Sequence, residues 1–218
     1  MDQMASSTGG LVTIDFKAEP QVTPLSFSFQ DAGYSLVVVN TGGSHDNLTA
    51  EYAAVRTEMQ GVAEMLGAKV LRQVRPEELW KHSPELREKL GERAVLRAFH
   101  FMDENKRVKD MVQAVRAGNS PAMFENIIAS GESSWMLLQN IYPAGGSQPL
   151  SLALAMAASL LKGKGAWRVH GGGFAGTIQA YVKAELADEY CAFMDAVFGK
   201  GACMRLAIRG EGAVAITL

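Results

Sequence analysis

The segment His170-Gly171-Gly172-Gly173-Phe174-Ala175-Gly176 concentrates bare backbone in one place and runs straight into the alternating Thr177–Val182 stretch. Glycines at this density suit a chain that must bring its main chain close to something else. Gly171, Gly173 and Gly176 formally satisfy G-x-G-x-x-G. A dinucleotide fingerprint, however, must open a helix after a strand, so that the helix N-terminus faces the pyrophosphate. The alternation after Gly176 has the period of a strand, so this loop joins two strands, and from the glycines alone a tight hairpin is the simpler reading. Gly42 and Gly43 end the apolar run Leu36-Val37-Val38-Val39, the kind of strand end at which a sheet presents ligand-binding loops.

Two further segments turn the glycine loop toward a reaction. Met1-Asp2-Gln3-Met4 and the stretch Asn40 to Tyr52, taken in order with the loop, resemble the galactokinase branch of the GHMP small-molecule kinases. The resemblance covers essentially the whole chain but only the C-terminal half of the family. Segments of the types G-R-x-N-L-I-G-E-H and G-L-S-S-S-A, the latter a phosphate loop, have no counterpart in these residues. The resemblance implies an ATP-dependent kinase acting on the anomeric hydroxyl of galactose or a related sugar, with Mg²⁺ arriving on the nucleotide. It nominates Asp2 as the catalytic carboxylate and Tyr52 as a sugar contact. Gly42 and Gly43 would stand beside the substrate, and Gly171, Gly172, Gly173, Phe174 and Gly176 would form the active-site loop. Phosphoryl transfer needs positioning and charge neutralisation rather than covalent help, so one carboxylate and a ring of backbone donors are the expected tools.

Each nominated residue also has a plainer role. Asp2 before Gln-Met-Ala-Ser is plausible helix-capping chemistry, and Tyr52 lies on the apolar stripe of a helix, where it would pack in a core. Ala175 stands where the family loop has glycine, which adds a methyl group and restricts φ. Without the phosphate loop, the chain on its own is expected to be inactive. A non-catalytic sugar-binding or regulatory relative is the alternative function, and an unrelated structural domain with a glycine hairpin is a third.

Composition excludes several classes. The chain has 218 residues, 48% of them hydrophobic and 20% charged, enough for a sizeable core in one domain spanning 1–218. A net charge of −2 gives no electrostatic case for nucleic acid or an anionic membrane. No apolar stretch reaches membrane-spanning length and the first residues do not read as a secretory signal, so a cytoplasmic protein is expected. His45, His82, His100 and His170 lack metal-site spacing, so no protein-built metal site is expected, and Cys191 and Cys203 read as buried reduced thiols. A face that the family packs against its N-terminal domain would be left apolar and would favour a homodimer.

The elements that must position these residues are legible from periodicity. Strands are expected at Leu11–Phe16, Phe27–Phe29 and Tyr34–Asn40, with turns at Glu19-Pro20 and Thr23-Pro24. Leu48, Tyr52, Val55, Met59, Val62 and Leu66 recur at helical spacing up to a stop at Gly67, with Ser44 or Asp46 as the cap. Ser83-Pro84 opens a long helix over 84–117, broken near Gly91 and closed by Gly118, with a solvated charged face at 103–107. Ser120-Pro121 opens another that runs to 140. The last third then reads as helix 148–161, strand Trp167–His170, the glycine loop, strand Thr177–Lys183, helix 186–198, and strands at Met204–Arg209 and Ala213–Thr217. The expected fold class is α+β, antiparallel sheets flanked by helices, as in the GHMP-kinase C-terminal domain.

Overall fold

The continuous apolar run at Tyr34–Asn40 becomes the inner strand β3, hydrogen-bonded on both edges within a four-stranded antiparallel sheet. The computed structural model describes residues 1–43, 48–142, 146–174 and 176–214. Ahead of β3 lie helix α1 (Asp2–Thr8) and a separate two-stranded sheet of β1 (Leu11–Asp15) and β2 (Gln21–Leu25). Helices α2 (Thr49–Met65), α3 (Pro76–Leu90), α4 (Glu92–Arg116) and α5 (Ser120–Ser133) follow, the last running on through a π-helical turn at Ser134–Leu138. Then come α6 (Pro149–Leu161), β4 (Ala166–Val169), β5 (Thr177–Lys183), α7 (Ala187–Phe198) and β6 (Cys203–Leu206). The sheet order is β4-β5-β3-β6, antiparallel throughout, as expected of an α+β chain. No helix among the described residues is long and apolar enough to cross a membrane.

One face of the sheet carries the main core. Val37, Val39, Ile178, Ala180 and Val182 meet Leu150, Leu154 and Leu161 of α6 and Tyr190 and Met194 of α7. Burial of such side chains contributes about 1.5–3 kcal/mol each. A second cluster, with Val62, Leu79, Leu86 and Val95, binds α2, α3 and α4 to one another. The other face of the sheet meets α5, where Gly131 lies against Arg168 and Trp167 of β4.

Several expectations are corrected. The second strand is Gln21–Leu25 rather than Phe27–Phe29. Thr23-Pro24 lies inside it because a two-stranded sheet leaves each strand one unpaired edge, where a proline needs no partner. Phe27 instead packs edge-on against Phe29, which in turn meets Tyr181. The helix expected to begin at Ser83-Pro84 begins at Pro76, with Glu77 and Glu78 favourably placed in its first turn. Pro84 sits on the exposed side of α3, and Ser83 Oγ donates to Leu79 O. The breaks at Gly91 and Gly118 stand as expected, while Asn119 rather than Ser120 caps α5, its Oδ1 accepting from Ala122 N at 3.2 Å.

The charged face at 103–107 is only partly solvated. Asp103 and Lys106 are exposed, but Glu104 turns inward to Ser130 and Arg107. Ser44 and Asp46, named as helix caps, lie outside the described residues, and Leu48 holds the cap position of α2 without a side-chain hydrogen bond. The last strand is Cys203–Leu206, shorter than expected. Ala213 is bonded through its amide to Ser7 O rather than paired in a strand, and 215–217 lie outside the described residues. Cys191 and Cys203 are unpaired thiols, half-buried rather than buried.

The α5–β4 contact gives a test of the packing. A Cβ added at Gly131 would stand 2.9 Å from Arg168 Cβ and 3.2 Å from Trp167 O. Gly131→Ala is expected to lower stability by about 1–3 kcal/mol through overpacking, despite alanine's better helix propensity. Urea unfolding should show this as a lower midpoint at unchanged slope.

Candidate active site

The glycine loop is the turn between β4 and β5, closed at its base by His170 N donating to Thr177 O at 2.9 Å. Its conformation is set by positive φ at Gly171, Gly173 and Gly176, and also at Phe174, where a side chain adopts φ 59°. A non-glycine residue there is strained and must be held by its surroundings. Phe174 is held by burial: its ring lies in a small cluster with Leu48, Tyr52 and Val55, edge-on to Tyr52 at a centroid distance of 5.1 Å.

Three groups clamp the loop's backbone. Tyr52 of α2 donates its hydroxyl to Gly173 O at 2.7 Å, and its partial burial pushes the phenol's pKa up, which keeps that proton in place. Asn140, 3% exposed, donates through Nδ2 to Gly172 O at 3.0 Å, while its own carbonyl accepts from Phe174 N. Thr41, just past β3, donates both its amide (2.9 Å) and its hydroxyl (2.8 Å) to Gly176 O. Glycine at 173 is obligatory, because a Cβ there would stand 2.0 Å from Asn140 O.

Asn140 is itself positioned from the helical core. It follows Gln139, a left-handed residue that ends the π-helical turn after α5. Leu138 O accepts from Arg97 Nε at 3.0 Å, and Arg97, fully buried on α4, pairs through Nη1 with Glu58 Oε2 at 2.8 Å. Arg93 reaches the same Glu58 at 2.6 Å and Glu51 at 3.7 Å. Burial pushes the Arg97 pKa below the usual guanidinium range, and Glu58 opposes that shift. A cavity of about 280 Å³ opens beside this turn, lined by Glu51, Arg93, Trp135, Gln139, Ile141 and Tyr142.

The structure therefore gathers most of the residues nominated from sequence. Tyr52, Gly171, Gly172, Gly173, Phe174 and Gly176 form one unit, and Thr41 brings the strand end with Gly42 and Gly43 alongside. Asp2 is not among them. It lies in the first turn of α1, with Met1 in the capping position and no side-chain cap hydrogen bond, so it is not the helix cap either. Helix α1 rests against the 209–213 segment, through the close approach of Gly9 to Glu211 and Gly212 and the bond from Ala213 N to Ser7 O. Strand β6 leaves β3 at Leu36, opposite to the Asn40 end that carries the glycine loop.

The histidines have separate partners. His82 lies by Glu78 and Glu85, His100 by Ser133, and His170 by Gln179, while His45 is outside the described residues. Among the described residues no group of His, Cys, Asp or Glu could hold a metal ion. Sequence reasoning missed Asn140 and Arg97. Nothing local marks Asn140, which reads as the tail of a helix, and an arginine on a charged helix reads as surface.

Solved structures place this architecture in a class. The chain superimposes on Lactococcus lactis galactokinase complexed with galactose at a TM-score of 0.71, over 94% of this chain and 52% of that one, at 19% identity. The L. major mevalonate kinase in complex with R-mevalonate matches at a TM-score of 0.55, over 97% of this chain and 53% of that one, at 14% identity. The fold is that of the GHMP kinases.

In sequence the chain is a relative of the galactokinases, matching their C-terminal half. It is 32% identical over 189 residues to the galactokinase of Glaesserella parasuis serovar 5, covering 85% of this chain and 46% of that protein. The galactokinase of Actinobacillus pleuropneumoniae serotype 5b is 30% identical over 185 residues, 84% and 46%. The chain thus spans about half the length of the curated relatives it matches. No family model matches.

The clamp generates a paired prediction. Tyr52→Phe removes one hydrogen bond to the loop and should cost about 1 kcal/mol of stability. Gly173→Ala combines a backbone clash with an unfavourable positive φ and should cost about 1–3 kcal/mol from overpacking and about 1–2 more from the dihedral. Thermal unfolding of the two variants should rank them in that order.

Proposed function

We propose that the chain is the C-terminal half of a galactokinase-like sugar kinase, a phosphotransferase that moves the γ-phosphoryl group of MgATP to the anomeric hydroxyl of galactose or a related sugar. The observation that carries this reading is the glycine loop, fixed by Tyr52 and Asn140 at the end of β3, in a chain aligned with galactokinases over some 85% of its length. A rigid, side-chain-free loop at a strand end suits a substrate that must be held within a few tenths of an ångström for in-line transfer. In this reading Gly42, Gly43 and the glycine loop line the sugar subsite, and Tyr52 serves it by fixing the loop, since its hydroxyl proton is already directed to Gly173 O.

The described residues do not by themselves fit a nucleotide–metal site. Their acidic groups do not cluster, and the carbonyls of Gly172 and Gly173 are turned into hydrogen bonds with Asn140 and Tyr52. The groups that hold MgATP are accordingly assigned to the portion of the enzyme that carries the phosphate loop. Asp2 keeps its nomination as the carboxylate beside the sugar hydroxyl from the family resemblance. Helix α1 is bonded to the 209–213 segment, and a sugar-binding relative without turnover is the second reading for this chain alone.

One experiment separates the two. A chain carrying the N-terminal half of the Glaesserella parasuis galactokinase ahead of residues 1–218 should release ADP from MgATP in a galactose-dependent manner, whereas residues 1–218 alone should release none. In the joined chain Asp2→Asn should lower kcat by at least about a hundredfold with sugar affinity largely kept. A folded joined chain that binds sugar but shows no turnover on any aldose would establish the binding-only reading. Unchanged kcat in Asp2→Asn would remove Asp2 from the chemistry.

A further inference from the structure

On the face of the sheet remote from the main core, β1, β2, α4, α5 and the β4–β5 pair line a half-open pocket of about 310 Å³. Its chemistry is divided. Val12, Leu25 and Met111 give it apolar walls, while Arg107, Arg168 and Glu104 bring charge to its lining. Glu104 is already occupied, accepting from Ser130 Oγ at 2.8 Å and pairing with Arg107 Nε. Arg107 is 18% exposed and its Nη2 is buried with no hydrogen-bond partner. Arg168 donates through Nε to Val169 O, and its terminal nitrogens find no protein partner among the described residues. Burial pushes the Arg168 pKa down and Glu104 opposes the shift. His100 behind them is held below its ordinary pKa by burial and adds no charge at neutral pH.

Two guanidinium groups against one carboxylate leave a single positive charge in a partly desolvated pocket. Unpaired buried charge is costly, and guanidinium N–H groups match a carboxylate in geometry. One negative charge closes the balance, whereas a phosphate dianion would reverse it. The volume lies at the lower end of small-molecule sites, and the apolar walls suit a short hydrocarbon body.

We propose that this cavity is a binding site for a small organic monoanion, its carboxylate on Arg168 and Arg107 and its apolar body against Val12, Leu25 and Met111. The site is separate from the glycine loop and independent of the kinase reading.

The test titrates the 218-residue chain with hexanoate, hexan-1-ol and inorganic phosphate while following the Met111 methyl resonance by NMR. Hexanoate should shift that resonance saturably, and neither the alcohol nor phosphate should do so. Arg168→Gln should weaken hexanoate binding about tenfold or more, the loss expected when charge-assisted hydrogen bonds are removed. Val12→Phe, which keeps every charge and fills the cavity, should abolish the shift, and it decides the question should Arg168→Gln fail to fold. No saturable shift with hexanoate, an equal response to hexan-1-ol, a response to phosphate in its place, or undiminished binding by Val12→Phe or by a folded Arg168→Gln would each overturn the proposal.

Discussion

The constraint on which the rest depends is the pair of hydrogen bonds between Asn140 and the glycine loop, one from its side chain to Gly172 O and one from Phe174 N to its carbonyl. A run of glycines has no conformational preference of its own and loses more freedom on folding than any other sequence. Something outside the run must choose its shape. Asn140 does so from one side and Tyr52 from the other, and together they oblige Phe174 to accept a positive φ. The strain is offset by burying the phenyl ring against Tyr52, Leu48 and Val55. A loop chosen in this way is shaped before any ligand arrives, and that is the property a subsite for phosphoryl transfer needs.

The clamp in turn rests on charge. Arg97 sits fully buried and spans from Glu58 on α2 to Leu138 O, two residues before Asn140. A buried ion pair is a poor way to gain net stability, since desolvation consumes most of its Coulomb energy. It is an effective way to fix a distance, because losing Glu58 leaves the Arg97 guanidinium buried without a carboxylate. The pair therefore reads as a positional device, tying helix α2, which carries Tyr52, to the turn that carries Asn140. Tyr52 and Asn140, two of the clamp's three groups, are referred to one ion pair.

Much of this fold was legible in the sequence, and the reasons for the failures are physical. Strands β3 and β5 were readable to the residue because a short, valine-rich apolar run ending in turn residues and a clean alternation both point to strand. Gly67, Gly91 and Gly118 were readable as stops because positive φ admits little else. The errors occurred where tertiary context overrode local preference. Pro84 could sit inside α3 because its side is solvated, Pro24 could sit in β2 because the sheet has only two strands, and Glu104 could turn inward because Ser130 and Arg107 receive it. At the site, glycines and the tyrosine announced themselves by type. Asn140 and Arg97 act through partners far away in sequence, and no single-sequence pattern encodes those distances.

The protein alone sets the shape of the loop, and hydrogen exchange at one amide reports on it most directly. The Phe174 N–H, donated to the buried carbonyl of Asn140, should exchange slowly in the ligand-free chain, with protection approaching that of the neighbouring β5 amides. Exchange at the rate of an unstructured loop, rising to protection only when sugar is added, would show instead that the ligand rather than Asn140 orders the glycines.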